Sequence, residues 1–284
     1  MAREWRRLLV PPERLAAAAA PGDRAGAELA LEPPELHYLR RVLRLRPGQR
    51  FALVDGAGHL WSASLGAATA QLEQPLQRPL LSEPQPRPAL RLAVALPRQD
   101  ADVLLRMACE LGIDRLSPLA AERSAAAAPL RPERQAAILR EALEQCERLW
   151  LPRLDAPRPA TAALAAAPEP GGQEPAPGGP VLRLLATTRR EGLPPLEQRL
   201  MEAAASSAGL AEELPPGQVV VAIGPEGGWS PAEEEAAAAA GWQPVALGAT
   251  ILRTSTAAVA AATLLAAWRR GLAISCGTSR SPSP

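Results

Sequence analysis

The pattern of apolar and polar positions changes near residue 84. Beyond it, short apolar runs that fit strands alternate with segments whose apolar residues recur at helical spacing, most clearly over residues 100–111 and 133–149. The strand-like runs are residues 90–96, 116–119, 181–187, 219–223 and 243–247. Because strands and helices alternate, the pattern predicts an α/β fold with a mainly parallel sheet.

Residues 1–83 follow a different pattern, which predicts a small β-rich module. A short helical pattern over residues 36–45 precedes a predicted strand at 51–54. The Asp-Gly-Ala-Gly sequence at 55–58 is a strong hairpin signal, and a second strand is expected over 60–65.

The proline-rich stretch at residues 82–88 marks a boundary between the two patterns. We therefore predict two domains, which comprise residues 1–83 and residues 84–274. Within the second domain, the Pro/Gly-rich residues 168–180 are expected to form a flexible insertion, and residues 275–284 to form a disordered tail.

The composition narrows the class of protein mainly by exclusion. With 47% hydrophobic and 21% charged residues among 284, the chain is ordinarily globular, and its net charge of +1 gives no overall attraction to nucleic acid. An RNA-binding surface would therefore come from a local patch. The three cysteines are far apart and lack metal-ligand spacing, which argues against a disulfide framework and a zinc site. We find no signal peptide and no apolar run of membrane length, so we expect a cytoplasmic protein with no membrane partner.

A glycine-rich turn at residues 224–228 is the strongest chemical signal in the chain. It follows an apolar run, and Ser230, Pro231 and Glu233 fit the N-cap, N1 and N3 positions of a helix with a capping box. Glycine lets a backbone approach a ligand closely, although the same motif also fits a tight turn that binds nothing. The chain has no lysine, so the turn is not a P-loop. Its backbone N–H and C=O groups suit an adenosine- and amino-acid-like ligand better than a triphosphate.

A second glycine turn, at residues 247–254, narrows the interpretation of the first turn and of the ligand that it would bind. It ends in Arg253, directly before an alanine-rich helical segment. Both histidines, His37 and His59, lie in the N-terminal module and away from the glycine turns. Hydrolase chemistry based on a Ser/His/Asp arrangement therefore has little support.

A compact basic cluster lies in residues 36–50, which contain five arginines and no acidic residue. The spacing of His37, Arg40, Arg41 and Arg44 places four polar or basic groups on one helical face. Such a face is most often simply solvated. On a small β-rich domain it also fits a surface that binds the phosphate backbone of RNA.

Polar positions in the second domain allow two interpretations. The helical segment at 133–149 carries a polar stripe that is typical of a solvated, salt-bridged face, formed by Glu141, Glu144, Gln145 and Arg148. The tripeptide Glu122-Arg123-Ser124 is less easily assigned to a solvated surface. It falls where a predicted strand meets a loop, which is where functional side chains of α/β proteins are often found.

Taken together, these segments resemble the RsmE family of 16S rRNA uridine-N3 methyltransferases, within the SPOUT (trefoil-knot) superfamily. The likeness covers most of the chain. The segments that carry it are residues 36–48 and 55–58 for the PUA-like domain, 95–98, 110–113, 122–124 and 141–145 for the first half of the catalytic domain, and 223–228 and 247–256 for the knotted cofactor site.

The resemblance implies a SPOUT-type α/β knot with a mainly parallel sheet, preceded by a small N-terminal PUA-like β-barrel domain. It also implies S-adenosyl-L-methionine as the methyl donor and a homodimer, with no metal required. The implied substrate is a uridine in the 16S rRNA of the small ribosomal subunit.

The resemblance further implies roles for particular residues. Because N3 of uracil must lose its proton before methylation, negative charge develops on O2 and O4. Arg253 is the expected catalytic residue that stabilises this charge, and Glu226 is the weaker candidate for accepting the proton or for positioning. The residues expected to bind the cofactor are Thr187, Ile223, Gly224, Pro225, Gly227, Gly228, Leu247, Gly248, Ile251, Leu252 and Thr256. The residues expected to contact RNA phosphates are Arg40, Arg41, Arg44 and Arg123.

One position departs from the family pattern, because Ser255 stands where the family has a glutamate. If that carboxylate is a base or orients Arg253, activity is in doubt, whereas a serine can replace it as a helix cap. Alternatives therefore remain open at this point. The chain is an active uridine-N3 methyltransferase, a catalytically impaired RNA-binding or ribosome-assembly protein on the same scaffold, or a SPOUT methylase of a different RNA.

Overall fold

The computed structural model describes residues 5–18, 27–124, 131–166, 179–188, 190–207 and 216–275. The chain forms two compact units. Unit 1 comprises Met1–Gln85 and Leu139–Leu151, and unit 2 comprises Pro86–Ile138 and Pro152–Pro284. Of the expected flexible insertion, only Gly179 and Pro180 lie among the described residues. Of the expected tail, only Ser275 does, and the prediction is wrong there because Ser275 is the last residue of a helix.

Unit 1 is built on a six-stranded sheet, which confirms the predicted β-rich module. Its elements are β1 (Arg7–Leu9), α1 (Pro12–Ala18), β2 (Glu28–Ala30), α2 (Pro33–His37), a π-helical turn (Tyr38–Val42), β3 (Arg50–Val54), β4 (His59–Leu65), β5 (Thr69–Leu72) and β6 (Leu81–Ser82). The strand order is β1-β3-β4-β5-β2, and β6 pairs with β4. β1 and β3 are parallel, and the other pairs are antiparallel.

β3 and β4 form the predicted hairpin. Asp55 fixes its turn, because its Oδ1 accepts the backbone N–H of Ala57 at 2.7 Å and that of His59 at 3.0 Å. Alternate residues of the two strands enter one core cluster, as the two-residue period of a strand requires. The hairpin residues in the core of unit 1 are Phe51, Leu53, Trp61, Ala63 and Leu65.

The helix α4 (Pro132–Cys146) is divided between the two units after Ile138. It ends before the predicted residue 149, because Glu147 adopts a φ of 63°, a left-handed conformation that does not continue a right-handed helix. The stripe predicted to be solvated is wrong at Glu144, which is only 8% exposed. Within unit 1, Glu144 Oε1 accepts the N–H of Leu9 at 2.8 Å, and burial raises the pKa of Glu144 to about 7.

Unit 2 contains a seven-stranded sheet in which every pairing among the described residues is parallel, which confirms the predicted α/β class. The strand order is β10-β8-β7-β12-β11-β13, with β9 paired to β8, for the strands β7 (Ala89–Val94), β8 (Arg115–Ala120), β9 (Arg153–Leu154), β10 (Arg158–Pro159), β11 (Val181–Ala186), β12 (Gln218–Ile223) and β13 (Gln243–Val245). Its remaining helices are α3 (Ala101–Glu110), α5 (Ala160–Ala165), α6 (Leu196–Ser207), α7 (Pro231–Ala239) and α8 (Thr254–Ser275).

β12 lies at the centre of this sheet, between β7 and β11, and all six of its residues are buried. A continuous apolar run is what a parallel strand covered on both faces requires. The helices α5 and α7 contribute Ala160, Leu164 and Ala237 to a core cluster with residues of β7, β11 and β12.

The last helix, α8, is long and apolar enough to cross a membrane by length and composition alone. It contacts β7, β12, α3 and α6 within unit 2, and its buried residues are Ala257, Ala258, Ala261, Ala262, Leu265 and Ala266. These contacts are those of a core helix, the role predicted for this segment.

Candidate active site

A cavity of about 660 Å³ lies at the edge of the unit 2 sheet where β11, β12 and β13 end. Its walls come mainly from three successive loops, in which the lining residues fall within 186–188 with 190–193, 223–231 and 246–252, and from the first turn of α8. In open parallel sheets, ligands bind outside the carboxyl ends of the strands. The cavity therefore occupies the position at which this kind of fold binds small molecules.

The glycine-rich loop after β12 leads into α7 as the sequence predicts. Ser230 is the N-cap, its Oγ accepts the N–H of Glu233 at 3.3 Å, and Glu233 Oε2 accepts the N–H of Ser230 at 2.8 Å. The loop closes tightly, because the N–H of Gly228 donates to Pro225 O at 2.9 Å with Gly228 at φ 73°. Glycine adopts this conformation without strain.

Side chains connect the three loops. The indole of Trp229, which is 5% exposed, donates from Nε1 to Ala186 O at the end of β11, at 2.9 Å. At the other wall, Thr254 Oγ1 donates to Gly224 O at 3.0 Å. Because β13 lies beyond β11, the chain must pass the end of β11 before α8 begins beside β12. The Thr254 bond holds the end of that crossing against the glycine-rich loop, and the Trp229 bond holds the same loop against the end of β11.

The charged side chains in the cavity wall lie near two of the loops. Glu226 and Arg123 line it near the glycine-rich loop, and Glu234 and Arg190 line it near the end of β11. Thr187 Oγ1 donates to Glu234 Oε1 at 3.3 Å, and Arg190 Nη2 lies 4.0 Å from Glu234 Oε2. The remaining lining residues are mainly glycines, threonines and apolar residues.

The structure brings together the residues expected to bind a cofactor, with one exception. All of them line the cavity except Thr256, which is exposed on the outer face of α8. Thr254 and Ala257 line it instead, because residues three apart share a helix face. Glu226 also lines the cavity, whereas Arg253 is exposed and lies directly before Thr254 in the chain.

The arginines expected to contact RNA do not form one group. In unit 1, Arg40 Nη2 donates to Gly66 O at 3.3 Å and also to Ala67 O, so its guanidinium holds a neighbouring loop. Arg41 is exposed in the π-helical turn. The helix ends before Arg44, which is exposed at a φ of 57°, so the predicted single helical face is wrong at Arg44. Arg123 belongs to unit 2 and lines the cavity.

Sequence reasoning missed Trp229, Thr254 and Glu234 as parts of the cavity. Trp229 could have been found, because a large aromatic residue directly after a glycine pair has room to cover a strand end. The partner of Ser255 could not have been found by pattern. Ser255 Oγ donates to Asp100 Oδ2 at 3.1 Å, across 155 positions of sequence.

Comparison with known proteins agrees with this geometry. A family model described as an RNA methyltransferase domain matches residues 83–266, and one described as an RNA methyltransferase PUA domain matches residues 31–72. Ribosomal RNA small subunit methyltransferase E of Synechocystis sp. is 36% identical over 259 residues, which cover 88% of this chain and 74% of that protein. The protein of the same name from Mycobacterium bovis is 30% identical over 247 residues, which cover 83% of this chain and 85% of that protein.

Among solved structures, the chain is similar to the ribosomal RNA small subunit methyltransferase E of Neisseria gonorrhoeae bound to S-adenosyl methionine. The TM-score is 0.67 at 26% identity, with 92% of this chain and 97% of that chain covered. Fold, cavity and matches together define an RNA methyltransferase with a parallel-sheet α/β domain and an N-terminal PUA domain. The chain belongs to the ribosomal RNA small subunit methyltransferase E family, which confirms the resemblance found in the sequence.

Proposed function

We propose that this protein transfers a methyl group from S-adenosyl-L-methionine to N3 of a uridine in the 16S rRNA of the small ribosomal subunit. The observation that carries the proposal is the cavity at the ends of β11, β12 and β13, because the segments that resemble the family's cofactor site meet there. The family relationship supports the same reaction class.

The cavity fits the proposed cofactor in size and in chemistry. Its volume of about 660 Å³ lies within the usual range for small-molecule sites. Gly248 faces open space, since a Cβ built there would meet no atom within 4 Å. The residues that would hold the cofactor are Thr187, Ile223, Gly224, Pro225, Gly227, Gly228, Leu247, Gly248, Ile251 and Leu252, together with Trp229 and Thr254. No metal is needed for this chemistry.

The chain's own residues must handle the proton and charge of the uracil ring. When bound, the cofactor supplies an electrophilic methyl carbon on a sulfonium sulfur. Arg253, exposed directly before α8, is the residue proposed to stabilise the negative charge that develops on O2 and O4. Glu226 lines the cavity and is the proposed proton acceptor or positioning group.

RNA contacts are proposed for both units. Arg41 and Arg44 are exposed in unit 1, and Arg40 supports them by fixing the loop at Gly66. In unit 2, Arg123 lies at the cavity wall and is proposed to contact a phosphate beside the target nucleotide. We propose a cytoplasmic homodimer that acts on the small subunit, with the division at residues 82–88 separating an RNA-binding domain from a methyltransferase domain.

The Ser255 departure is the observation that favours a second candidate, an RNA-binding or ribosome-assembly protein without catalysis. Its hydroxyl group donates to the Asp100 carboxylate, however, so a carboxylate remains next to the start of α8. We therefore favour retained activity. A methylase acting on a different RNA would keep the same cavity and differ only in the RNA that it contacts.

The test compares rRNA from a strain lacking the gene with rRNA from the same strain after the gene is restored. We expect 3-methyluridine in small-subunit rRNA, measured by mass spectrometry of nucleosides, to disappear and then return. In vitro, Arg253→Ala should lower kcat about 100-fold, the effect of removing one donor to a developing oxyanion. Arg270→Ala, an exposed arginine near the far end of α8, is the control and should keep full activity. Unchanged 3-methyluridine in the deletion strain would contradict the proposed function.

A further inference from the structure

Glu233 has a contact that its helix does not require. It is the third residue of α7 and only 1% exposed. One carboxylate oxygen, Oε2, accepts the N–H of Ser230 as part of the capping box, at 2.8 Å. The other, Oε1, accepts the N–H of Glu122, at 2.9 Å. A single buried side chain therefore binds both the N-cap residue that follows the glycine-rich loop and the segment after β8, where Glu122 lies 111 positions from Glu233 in sequence.

The segment that follows β8 is a turn from Ala121 to Ser124, closed by the N–H of Ser124 donating to Ala121 O at 3.1 Å. Arg123 lies in this turn and lines the cavity. Its Nη1 donates to Trp229 O at 3.0 Å, so the guanidinium also bonds to the glycine-rich loop. The Glu122 N–H thus bonds the turn to α7, and the Arg123 guanidinium bonds it to the residue that follows the glycine pair.

The two segments are also in close van der Waals contact. A Cβ built on Gly227 would lie 2.9 Å from Arg123 Cβ, closer than real Cβ atoms approach, and 3.0 Å from Arg123 O, which is tighter than most real contacts. The glycine thus allows the loop to lie directly on the backbone of the turn. Because contact and hydrogen bonds act together, a shift of the turn by a fraction of an ångström requires a matching shift of the loop.

We propose that Glu233 is a positioning residue, which holds the Glu122–Arg123 turn at a fixed place on the glycine-rich loop and so sets where Arg123 meets the RNA. The inference rests on the proposed function, because it takes Arg123 as an RNA contact. A helix cap alone needs only one carboxylate oxygen, and Ser230 already satisfies the N–H of Glu233. The second carboxylate oxygen, Oε1, binds the Glu122–Arg123 turn instead.

The sharpest test removes the donor and keeps the turn. Glu122 occupies the second position of a four-residue turn, where proline is favoured, so Glu122→Pro deletes its N–H while preserving the turn. Glu122→Ala removes the same side chain and keeps the N–H, and is the reference. We expect Glu122→Pro to raise the KM for small subunits that lack the modification roughly tenfold above that of Glu122→Ala. The Kd for S-adenosylhomocysteine should be the same in both variants.

A second variant and a second readout keep the test independent of folding and of methylation. In wild type, the amide of Glu122 should exchange slowly with solvent deuterium, because its acceptor is buried. Glu233→Gln leaves one side-chain oxygen to accept the N–H groups of both Ser230 and Glu122. We therefore expect the Glu122 amide to exchange faster in this variant. Glu235→Gln, exposed on the same helix, is the control and should leave exchange and activity unchanged.

Three outcomes would overturn the proposal. One is an equal KM for Glu122→Pro and Glu122→Ala. Another is an unchanged exchange rate of the Glu122 amide in Glu233→Gln. The third is a loss of S-adenosylhomocysteine affinity equal to the rise in KM, which would reduce Glu233 to a helix cap. If the wild-type protein makes no 3-methyluridine, the proposed function fails separately, and the same variants are then compared by their Kd for small subunits.

Discussion

A methyl group added at Gly248 would meet no atom within 4 Å, whereas one added at Gly227 would lie 2.9 Å from Arg123 Cβ. The two glycines lie in adjacent cavity loops, yet only Gly227 is required by packing in the ligand-free protein. For Gly248, open space on the cavity side means that the position is free until a ligand occupies it. A substitution of Gly248 can therefore change the affinity for the ligand without changing the stability of the protein.

We expect Gly248→Ala to fold with an unchanged melting temperature and to bind S-adenosylhomocysteine about tenfold more weakly, equal to about 1.4 kcal/mol of binding free energy. The added methyl group takes space that the ligand needs. Calorimetric titration and thermal unfolding measure the two quantities. Gly271→Ala, in α8, is the control, because a Cβ added there would also meet no atom within 4 Å. It should keep the wild-type affinity and gain about 0.5–1 kcal/mol of stability. Unchanged affinity in Gly248→Ala would place the ligand elsewhere.

The Ser255–Asp100 bond is a second feature at this scale. The first turn of α8 contains no acidic residue, although a helix N-terminus favours a negative charge. Asp100, which precedes α3, supplies a carboxylate there through the hydroxyl group of Ser255. The charge is thus present at the start of α8 but comes from another segment of the chain.

The Ser255–Asp100 bond predicts how stability changes when a carboxylate is placed at position 255. Ser255→Glu places a second carboxylate against Asp100 and should lower stability by roughly 1 kcal/mol at neutral pH and low salt. Combining it with Asp100→Ser restores one carboxylate and one hydroxyl group, and should restore both stability and kcat. Urea unfolding and single-turnover methylation are the measurements. The pairing has no such role if Ser255→Glu alone is as stable and active as wild type.

At the scale of elements, α4 shows where a polar stripe misleads. Glu141 and Gln145 are exposed, as the stripe predicts, but Glu144 is buried against β1. The pKa of Glu144 is raised to about 7, mainly by burial and also by the negative charges of Glu141 and Glu35, against the lowering effects of the Leu9 N–H and Arg140. The neutral acid is therefore the form that the folded unit 1 favours.

The sign of the pH dependence follows. In the unfolded chain Glu144 ionises near pH 4.5, and in the folded protein it ionises near 7, so the folded state binds more protons between these values. The free energy of unfolding should fall by about 2–3 kcal/mol as pH rises from 4.5 through 7. Glu144→Gln should abolish this fall and be the more stable protein at pH 8. Urea unfolding between pH 4.5 and 8 measures it, with Glu133→Gln, exposed in the same helix, as the control. An equal slope in Glu144→Gln would contradict the assignment.

Local signals explain why most elements could be predicted. The hairpin of β3 and β4 is specified by Asp55 and the glycines around it, and α7 by its capping box, all within a few residues. The end of α4 could not be predicted, because Glu147 adopts a left-handed conformation that no local signal in the sequence marks. The burial of Glu144 likewise depends on β1, more than a hundred positions away.

At the scale of the whole molecule, the alternation of strands and helices predicts the class of unit 2 but not its strand order. In the order β12-β11-β13, the last strand pairs with β11 and not with β12, the strand that precedes it in the chain. The periodicity of the sequence does not indicate this arrangement. The segment Leu139–Leu151 belongs to unit 1 because of its contacts with residues that are distant in sequence, so a local pattern could not predict its place. For the site, the glycine turns identify two walls of the cavity, whereas the bonds between walls, such as that of Trp229 to Ala186, become visible only in the folded chain.

The late position of α8 has a consequence for synthesis on the ribosome. The crossing past β11 and the wall formed by Thr254 and Ala257 belong to the last part of the sheet domain to be translated. A nascent chain that has reached only β12 has the central strands of its sheet but no enclosed cavity. Its long-range pairings close late, which is typical of slow folding. The capacity to bind a methyl donor is therefore acquired only after α8 has been translated, so a nascent chain that lacks α8 cannot hold the cofactor or modify the RNA around it.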